Sequence, residues 1–489
     1  LVMIFTVPKE VRLVTDGLRT AGFEAYLVGG CVRDLLLDRR PKDWDVTTNA
    51  TPVEIQAIFP DSFYTNEFGT VGVTHETDDE TLKVIEVTPY RTESHYSDKR
   101  RPDAVTFGQN LEDDLARRDF TVNAIAYNES IGQLIDPYKG QEDIALKVLR
   151  TVGIASERFE EDALRLMRAV RLMAELGFAL ENETAQAIQS KASNLSHVSR
   201  ERIRDELVRI LMSKEPMGAL VLSQQLGLLE FICPKLTEGI GIEQNQAHSY
   251  DVFGHLMRAL QHAADKNWDF DIRLAALLHD VSKPEVRRWE EKKKDWTFHG
   301  HEVVGARATK RILEDLKFSR ETIDKVTNLV RWHMFFSDPD QITLSAVRRM
   351  IRNVGEENIH DLLNLRICDR IGTGRPKEQP FRFRKYKAMV EEALHDPISV
   401  GMLKTDGNRL MHEFHMKPGP QIGWILNALL EEVLEMPERN TLEWLDAKSK
   451  ELLALNDTEL KKLGDQGKQK KEAAEDAELK KILSKHNVS

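Results

Sequence analysis

Two aspartates two residues apart, Asp43 and Asp45, follow a glycine pair, Gly29-Gly30, within LVGGCVRDLLLDRRPKDWDVTT. Residues two apart on a strand share a face, so both carboxylates can hold a pair of magnesium ions while Trp44 turns into the core. Glycines without a Cβ let backbone amides approach a triphosphate, and a helix starting near Val32 would add oriented N–H donors. Ions held there would acidify an attacking hydroxyl, neutralise an α-phosphate and stabilise a pyrophosphate leaving group, which is two-metal nucleotidyl transfer. Glu86, in KVIEVTPYR, is a candidate third carboxylate and equally well an outward-facing glutamate on an edge strand. A lone pair of aspartates also fits a polar turn beside a strand; the upstream glycines favour the metal platform.

Two other groups could do chemistry. Glu161, Asp162 and Arg165 lie in EEDALRLMR, where residues three apart are neighbours on one helix face, so Asp162 and Arg165 can present an acid and a guanidinium side by side. Such a pair can meet the Watson–Crick edge of cytosine or adenine and mismatch guanine and uracil, though a surface salt bridge worth ~0.2–0.5 kcal/mol has the same spacing. Further on, DVFGHLMRAL, AALLHDVSKP, HGHEVVGA, RWHMFF and LRICDRIG bring His279-Asp280 together with His255, His301 and Asp369, and with His299 and His333 as further candidates. This order resembles the HD phosphohydrolase pattern, in which imidazoles and carboxylates surround one or two divalent transition-metal ions; a lone histidine on an apolar helix is more often a satisfied core residue.

The elements that must position these groups differ along the chain. From Tyr26 to about Leu149, short apolar runs such as AYLVGG, GTVGVTHE, LKVIEVTPYR and QLIDPYKG alternate with turns and read as strands of a mixed sheet. After Glu160 the spacing becomes helical, as in ALRLMRAVRLMAEL and RIRDELVRILMS, and the remainder is expected to be helix. At 489 residues the chain exceeds a single core, and 41% hydrophobic with 30% charged residues is ordinary for a soluble protein without a membrane span. Cys31, Cys233 and Cys368 are too few and too scattered for a disulfide framework, and Leu1 to Phe5 is soon interrupted by Pro8 and Lys9, so a cytoplasmic protein is expected. A net charge of −11 argues against nonspecific coating of nucleic acid but allows a local basic groove. No internal repeat is visible.

GGCVRDLLL followed by DWDVTT resembles the signature of the nucleotidyltransferase superfamily, specifically the bacterial and eukaryotic class of CCA-adding enzymes and poly(A) polymerases. RRDFTVNAIAYN, IDPYKGQEDI, LRTVG, RFEEDALRLMRAVRL and SRERIRDELVRIL follow in the order of that family's motifs, so the likeness runs from about Tyr26 to Met212. The resemblance implies an α+β fold: a catalytic head (1–150), a helical neck with the base-recognition helix (151–238), an HD-type helical domain (239–375), a helical tRNA-binding region (376–455) and a charged flexible tail (456–489). It implies transfer of CMP and AMP from CTP and ATP to the tRNA 3′ end, with two Mg²⁺ ions on Asp43 and Asp45 and catalytic help from Glu86.

The same resemblance assigns base recognition to Asp162 and Arg165, with Glu161 beside them, and nucleotide binding to Gly29, Gly30, Arg33, Arg117, Arg118, Asp119, Asn123 and Arg168. The polar stretch YRTESHYSDKRRPDAVTF resembles the family's flexible loop, which enzymes adding only the two cytidines have shortened. Poly(A) polymerases of this class carry a basic Gly-Arg-Arg-Phe-like segment where this chain has NEFGTVGV, which favours CCA addition over A-only addition or poly(A) synthesis. A rival of another class is an HD hydrolase whose head recognises RNA. The oligomeric state is not legible.

Overall fold

The computed structural model describes residues 4–64, 69–94, 104–108, 110–246, 248–335 and 342–464. The fold is α+β, a head of mixed sheet and helix followed by helical domains. The chain divides into two compact units, residues 1–234 and 235–489.

The strands of the first unit include β1 (Tyr26–Val28), β2 (Asp45–Thr48), β3 (Ser62–Tyr64), β4 (Val71–Thr74), β5 (Val84–Pro89), β6 (Arg91–Ser94), β7 (Ala104–Phe107), β8 (Ala126–Asn128) and β9 (Gln133–Ile135). Seven of them form one sheet in the order β3-β4-β5-β2-β1-β8-β9. β2 and β5 run parallel and the other pairs are antiparallel, so the sheet is mixed, as the alternation of apolar runs and turns predicts. Apolar residues of one face, Val28, Tyr90 and Ala126, pack on Leu111 and Leu115 of the helix Leu111–Ala116. Removing such side chains from water, at ~25 cal/mol per Å², holds helix and sheet together.

The stretch expected to be a loop is partly ordered: β6 and β7 pair as an antiparallel hairpin, and residues 95–103 lie outside the described residues. Residues 65–68, which begin the NEFGTVGV segment, also lie outside them, as do residues 465–489 of the tail.

Helical spacing after Glu160 is interrupted at Asp162, which separates the helices Ala155–Glu161 and Leu164–Leu176. The second ends at Gly177, whose φ of 72° supplies the left-handed cap. It packs on the helix Arg200–Leu211, and the buried Arg171 Nε donates to Glu206 Oε2 at 2.7 Å across that seam. The remaining strands are β10 (Val148–Leu149) and β11 (Ala179–Leu180), which pair in parallel in this unit.

Among the described residues the second unit is helical except for one hairpin, β12 (Arg288–Glu290) and β13 (Asp295–Thr297), a departure from the all-helical expectation. Its WEEKKKDW sequence lacks the apolar alternation that marks strands, which hid the hairpin. The helices Val252–Asp265 and Ile359–Gly372 approach so closely that a Cβ on Gly372 would stand 2.8 Å from the His255 carbonyl oxygen. No described helix is long and apolar enough to cross a membrane.

Candidate functional site

In the head, β1 ends at Val28 and the chain turns sharply at Gly29, whose φ of 80° is in the left-handed region and which caps the helix Gly30–Leu36. A Cβ on Gly29 would stand 2.9 Å from an Arg118 guanidinium nitrogen and 3.4 Å from Asp45 Oδ2; one on Gly30 would stand 3.9 Å from Asp43 Oδ1. Both carboxylates therefore border the glycine turn. Asp43 itself lies on a bend, since β2 starts only at Asp45, while Trp44 is buried as expected.

Glu86 is the register partner of Asp45 on the neighbouring parallel strand, and laterally paired residues project from the same face. β5 lies inside the sheet between β4 and β2, so the alternative of an edge-strand glutamate does not hold. Burial first, then the nearby charge of Asp43, pushes Glu86 above its ordinary value. Asp45 is pushed up to about 7 by burial, Asp43 and Glu86, against the opposing pull of Arg118 and Arg168. The charge of Asp43 raises both Asp45 and Glu86, an electrostatic deficit that a divalent cation relieves, and an all-oxygen donor set suits magnesium. These residues fit such an ion.

A polar chain connects the remaining head residues. Arg33 donates to Asn123 Oδ1 at 2.8 Å, Asn123 Nδ2 donates to Asp119 Oδ1 at 3.1 Å, and Arg168 pairs with Asp119 Oδ2 at 2.8 Å. Although Asp119 is buried, Arg168 and Asn123 hold its carboxyl below the usual range. The sequence reading missed Asp114, fully buried, which accepts from Arg117 Nε at 2.9 Å, from Arg118 at 3.2 Å and from Thr47 of β2 at 3.2 Å. Its signal was present: Asp114 precedes Arg117 and Arg118 by three and four residues, the spacing of helical neighbours.

Asp162 and Arg165 do not share one helix face. The Asp162 carboxylate accepts the Leu164 N–H at 3.0 Å, which competes with helical bonding and breaks the helix there. Each is held by a different partner: Arg202 pairs with Asp162 at 2.9 Å, while Arg165 donates to Glu161 at 2.5 Å and to the Arg117 carbonyl at 3.1 Å. Arg202 was not foreseen.

In the second unit, His255, His279, Asp280 and Asp369 form one cluster of ligand atoms, and Asp280, His301 and His333 form another, each within 4.8 Å. Among the described residues these are the tightest such groups, and the head carboxylates are spread more widely. Asp280 joins the two. Its Oδ2 lies 3.0 Å from His255 Nε2 and 3.3 Å from His279 Nε2, and its Oδ1 lies 3.1 Å from His301 Nε2 and 3.4 Å from His333 Nε2. Asp369 Oδ1 is 3.5 Å from His255.

The Nδ1 atoms of His279, His301 and His333 sit 2.9, 2.6 and 2.7 Å from carbonyls of Ala276, Phe298 and Val330. Donation there leaves each Nε2 a lone pair aimed inward. Nε2 atoms then face each other at 2.9 Å (His255 and His279) and 3.2 Å (His301 and His333), which repels unless a cation or proton lies between. Two nitrogens each ~2.0–2.1 Å from one metal ion come to about this separation, so the residues fit divalent ions, which the two clusters sharing Asp280 would hold.

Against burial, Asp280 and Asp369 raise His279 to about 9. Asp280 itself, though buried, is held well below the usual range by Lys283 and His279. Lys283, also buried, places Nζ 2.6 Å from Asp280 and donates to Gln244 at 2.6 Å; neither Lys283 nor Gln244 was singled out from the sequence. His299 belongs to neither cluster, being exposed in the loop before the His301–Asp315 helix.

Residues 25–150 match the poly A polymerase head domain, 177–240 the probable RNA and SrmB-binding site of polymerase A, and 252–374 the HD domain. The CCA-adding enzyme of Lactobacillus delbrueckii subsp. bulgaricus is 34% identical over 444 residues, covering 90% of this chain and 97% of that protein. That of Geobacillus stearothermophilus is 41% identical over 291 residues, covering 58% of this chain and 66% of that protein. The crystal structure of the Bacillus stearothermophilus CCA-adding enzyme in complex with CTP superposes with a TM-score of 0.65 at 28% identity, over 91% of this chain and 99% of that one. The Thermotoga maritima CCA-adding enzyme complexed with tRNA shares the fold, with a TM-score of 0.54 at 20% identity, over 91% of this chain and 96% of that one.

Proposed function

Because the chain belongs to the family of CCA-adding tRNA nucleotidyltransferases, in the class that carries an HD domain, we propose that it extends the tRNA 3′ end with CMP and AMP from CTP and ATP, releasing pyrophosphate. The observation that carries this reading is the pairing of Asp45 with Glu86 on adjacent parallel strands beside the Gly29 turn. Asp43 and Asp45, with Glu86 as third carboxylate, would hold magnesium, which supplies charge neutralisation at the α-phosphate and acidifies the RNA 3′ hydroxyl. The Gly29 turn leaves space for phosphate oxygens where a side chain would collide with Arg118. Arg33 is held by Asn123 and Arg168 by Asp119, so neither guanidinium needs to be ordered when a nucleotide arrives.

Base choice falls to Asp162 and Arg165. Against cytosine, the aspartate accepts from N4–H₂ while the arginine donates to N3 and O2; against adenine they meet N6–H₂ and N1. Guanine and uracil offer a carbonyl and an N–H at those places, leaving groups mismatched at ~1–3 kcal/mol each. Separate anchoring by Arg202 and Glu161 fixes both groups before a base binds.

The test uses tRNAs ending before the first C, after CC and complete, each with single labelled nucleotides. CCA addition requires CMP on the first, AMP on the second and nothing on the third, with all incorporation lost in Asp43→Ala. Adenylation of only the CC-ended tRNA would mean an A-adding enzyme, and sustained adenylation of the complete tRNA a poly(A) polymerase.

The Asp280-bridged cluster supports a second activity, hydrolysis of a phosphate ester at an RNA end. Water oxygen would bond to phosphorus as one ester P–O bond breaks, the departing 2′ or 3′ oxygen taking a proton. Asp280→Ala should abolish this hydrolysis and spare CMP incorporation.

A further inference from the structure

The β12–β13 hairpin is unlike the rest of the second unit. Trp289 and Trp296 are cross-strand partners, packed edge to face with ring centroids 5.3 Å apart. The Arg287 guanidinium lies 3.5 Å over the Trp296 ring, so one indole is clamped from above and serves as a base for the other. Trp289 is 47% exposed. The turn between the strands carries Lys292, Lys293 and Lys294, all exposed, with Lys293 paired to Glu290 at 3.0 Å and Lys294 at a φ of 49°. A charge run alone is usually a solvated loop, but a large aromatic surface left in water beside it is a binding feature.

The hairpin stands at the mouth of the HD cavity. β13 runs directly into Phe298, whose carbonyl fixes His301, and Lys293 and Trp296 line a cavity of about 1190 Å³ that reaches Asp280 and Asp369. Arg366, Arg370, Arg375, Arg382 and the exposed Phe381 line it as well. A phosphate alone would leave most of such a volume empty, since pockets for whole small ligands are ~300–1,000 Å³. Cations for a sugar-phosphate backbone interleaved with aromatic faces for bases are the chemistry of single-stranded nucleic acid binding.

We propose that this hairpin is a grip for single-stranded RNA, Trp289 stacking a base and Lys292 to Lys294 holding flanking phosphates, so that a 3′ end enters the cavity over the Asp280 cluster. Only the cleavage arm of the test rests on the hydrolytic reading above. The full chain is titrated with a short single-stranded RNA ending in a 2′,3′-cyclic phosphate, with binding read by fluorescence anisotropy and cleavage read separately. Trp289→Ala should weaken binding roughly ten-fold, the loss of one base stack, and Trp289→Phe should restore much of it. Lys292→Glu with Lys294→Glu should flatten the salt dependence of binding. CMP incorporation and the thermal melting profile should stay at the unsubstituted level, which excludes misfolding.

Unchanged RNA affinity in both variants overturns the proposal, as does an equal loss for a blunt RNA duplex, which offers no free base to stack. Trp289-dependent binding without cleavage would uphold the grip and refute the hydrolytic reading. Cleavage with a KM for RNA indifferent to Trp289 and the lysines would do the reverse.

Discussion

Moving the protein from about pH 8 to about pH 6 should weaken the apparent magnesium affinity of the Asp43, Asp45 and Glu86 site about ten-fold, or ~1.4 kcal/mol. Burial, Asp43 and Glu86 raise Asp45 to about 7, and a proton competes with the cation for the same oxygen. The apparent dissociation constant is multiplied by one plus the ratio of protonated to ionised carboxyl, roughly 11 at the lower pH and roughly 1.1 at the higher. The assay is single CMP incorporation into a tRNA lacking CCA, titrated with free magnesium at saturating CTP and constant ionic strength, and read as the half-saturating concentration. Glu86→Gln removes one of the charges that raise Asp45, so its ratio between the two pH values should shrink. A half-saturating concentration that stays constant with pH, or the same ratio in Glu86→Gln, would refute the reasoning. Stability carries the opposite sign. The folded carboxyl keeps a proton that the unfolded chain has released above about pH 4, so metal-free stability falls as pH rises toward about 7. Magnesium should remove that slope in thermal melts.

Other substitutions probe the geometry separately. Gly29→Ala should cost about 1–2 kcal/mol from the left-handed backbone alone and reduce CMP incorporation at least ~100-fold, because the new Cβ displaces Arg118; melting temperature and turnover read the two effects. Arg202→Ala should leave the fold intact but release Asp162, raising UMP and GMP misincorporation relative to CMP about ten-fold, measured by single-nucleotide competition. Asp114→Asn removes the buried partner of Arg117 and Arg118 and should destabilise the protein by about 3–5 kcal/mol in urea titration. After chelation, magnesium alone should restore CMP incorporation, while hydrolysis at the Asp280 cluster should require manganese, cobalt or nickel; recovery of both with magnesium would contradict the donor chemistry.

What was legible in the sequence was local. Gly29 and Asp45 are separated by one short helix and a bend that carries Asp43, so the types and spacing of the three already point to their meeting. Glu86 was ambiguous because its role depends on which strand lies beside β2, a long-range pairing that alternation within KVIEVTPYR does not encode. The Asp162 break was invisible for a related reason. Apolar residues continue at helical spacing on both sides, while Asp162 turns to extended backbone and its carboxylate accepts the Leu164 N–H and pairs with Arg202. Among the histidines, adjacency to Asp280 and carriage on helices marked the cluster, whereas His299 shares the local pattern but precedes its helix and lines the cavity outside both clusters.

The two clusters divide metal chemistry between them by donor type. The head presents carboxylate oxygens alone, partly open and mutually repelling, an arrangement that a hard, hydrated cation satisfies while keeping positions for triphosphate oxygens. The second unit presents buried imidazoles whose tautomers are set by backbone carbonyls around one bridging carboxylate, which favours ions that bind nitrogen and accept a compact coordination shell. Because neither donor set suits the other's ion well, the nucleotidyl transfer proposed for the head and the phosphate-ester hydrolysis proposed for the Asp280 cluster would have separate metal requirements. That separation lets Asp43 and Asp280 be removed independently, each with its own chemical readout.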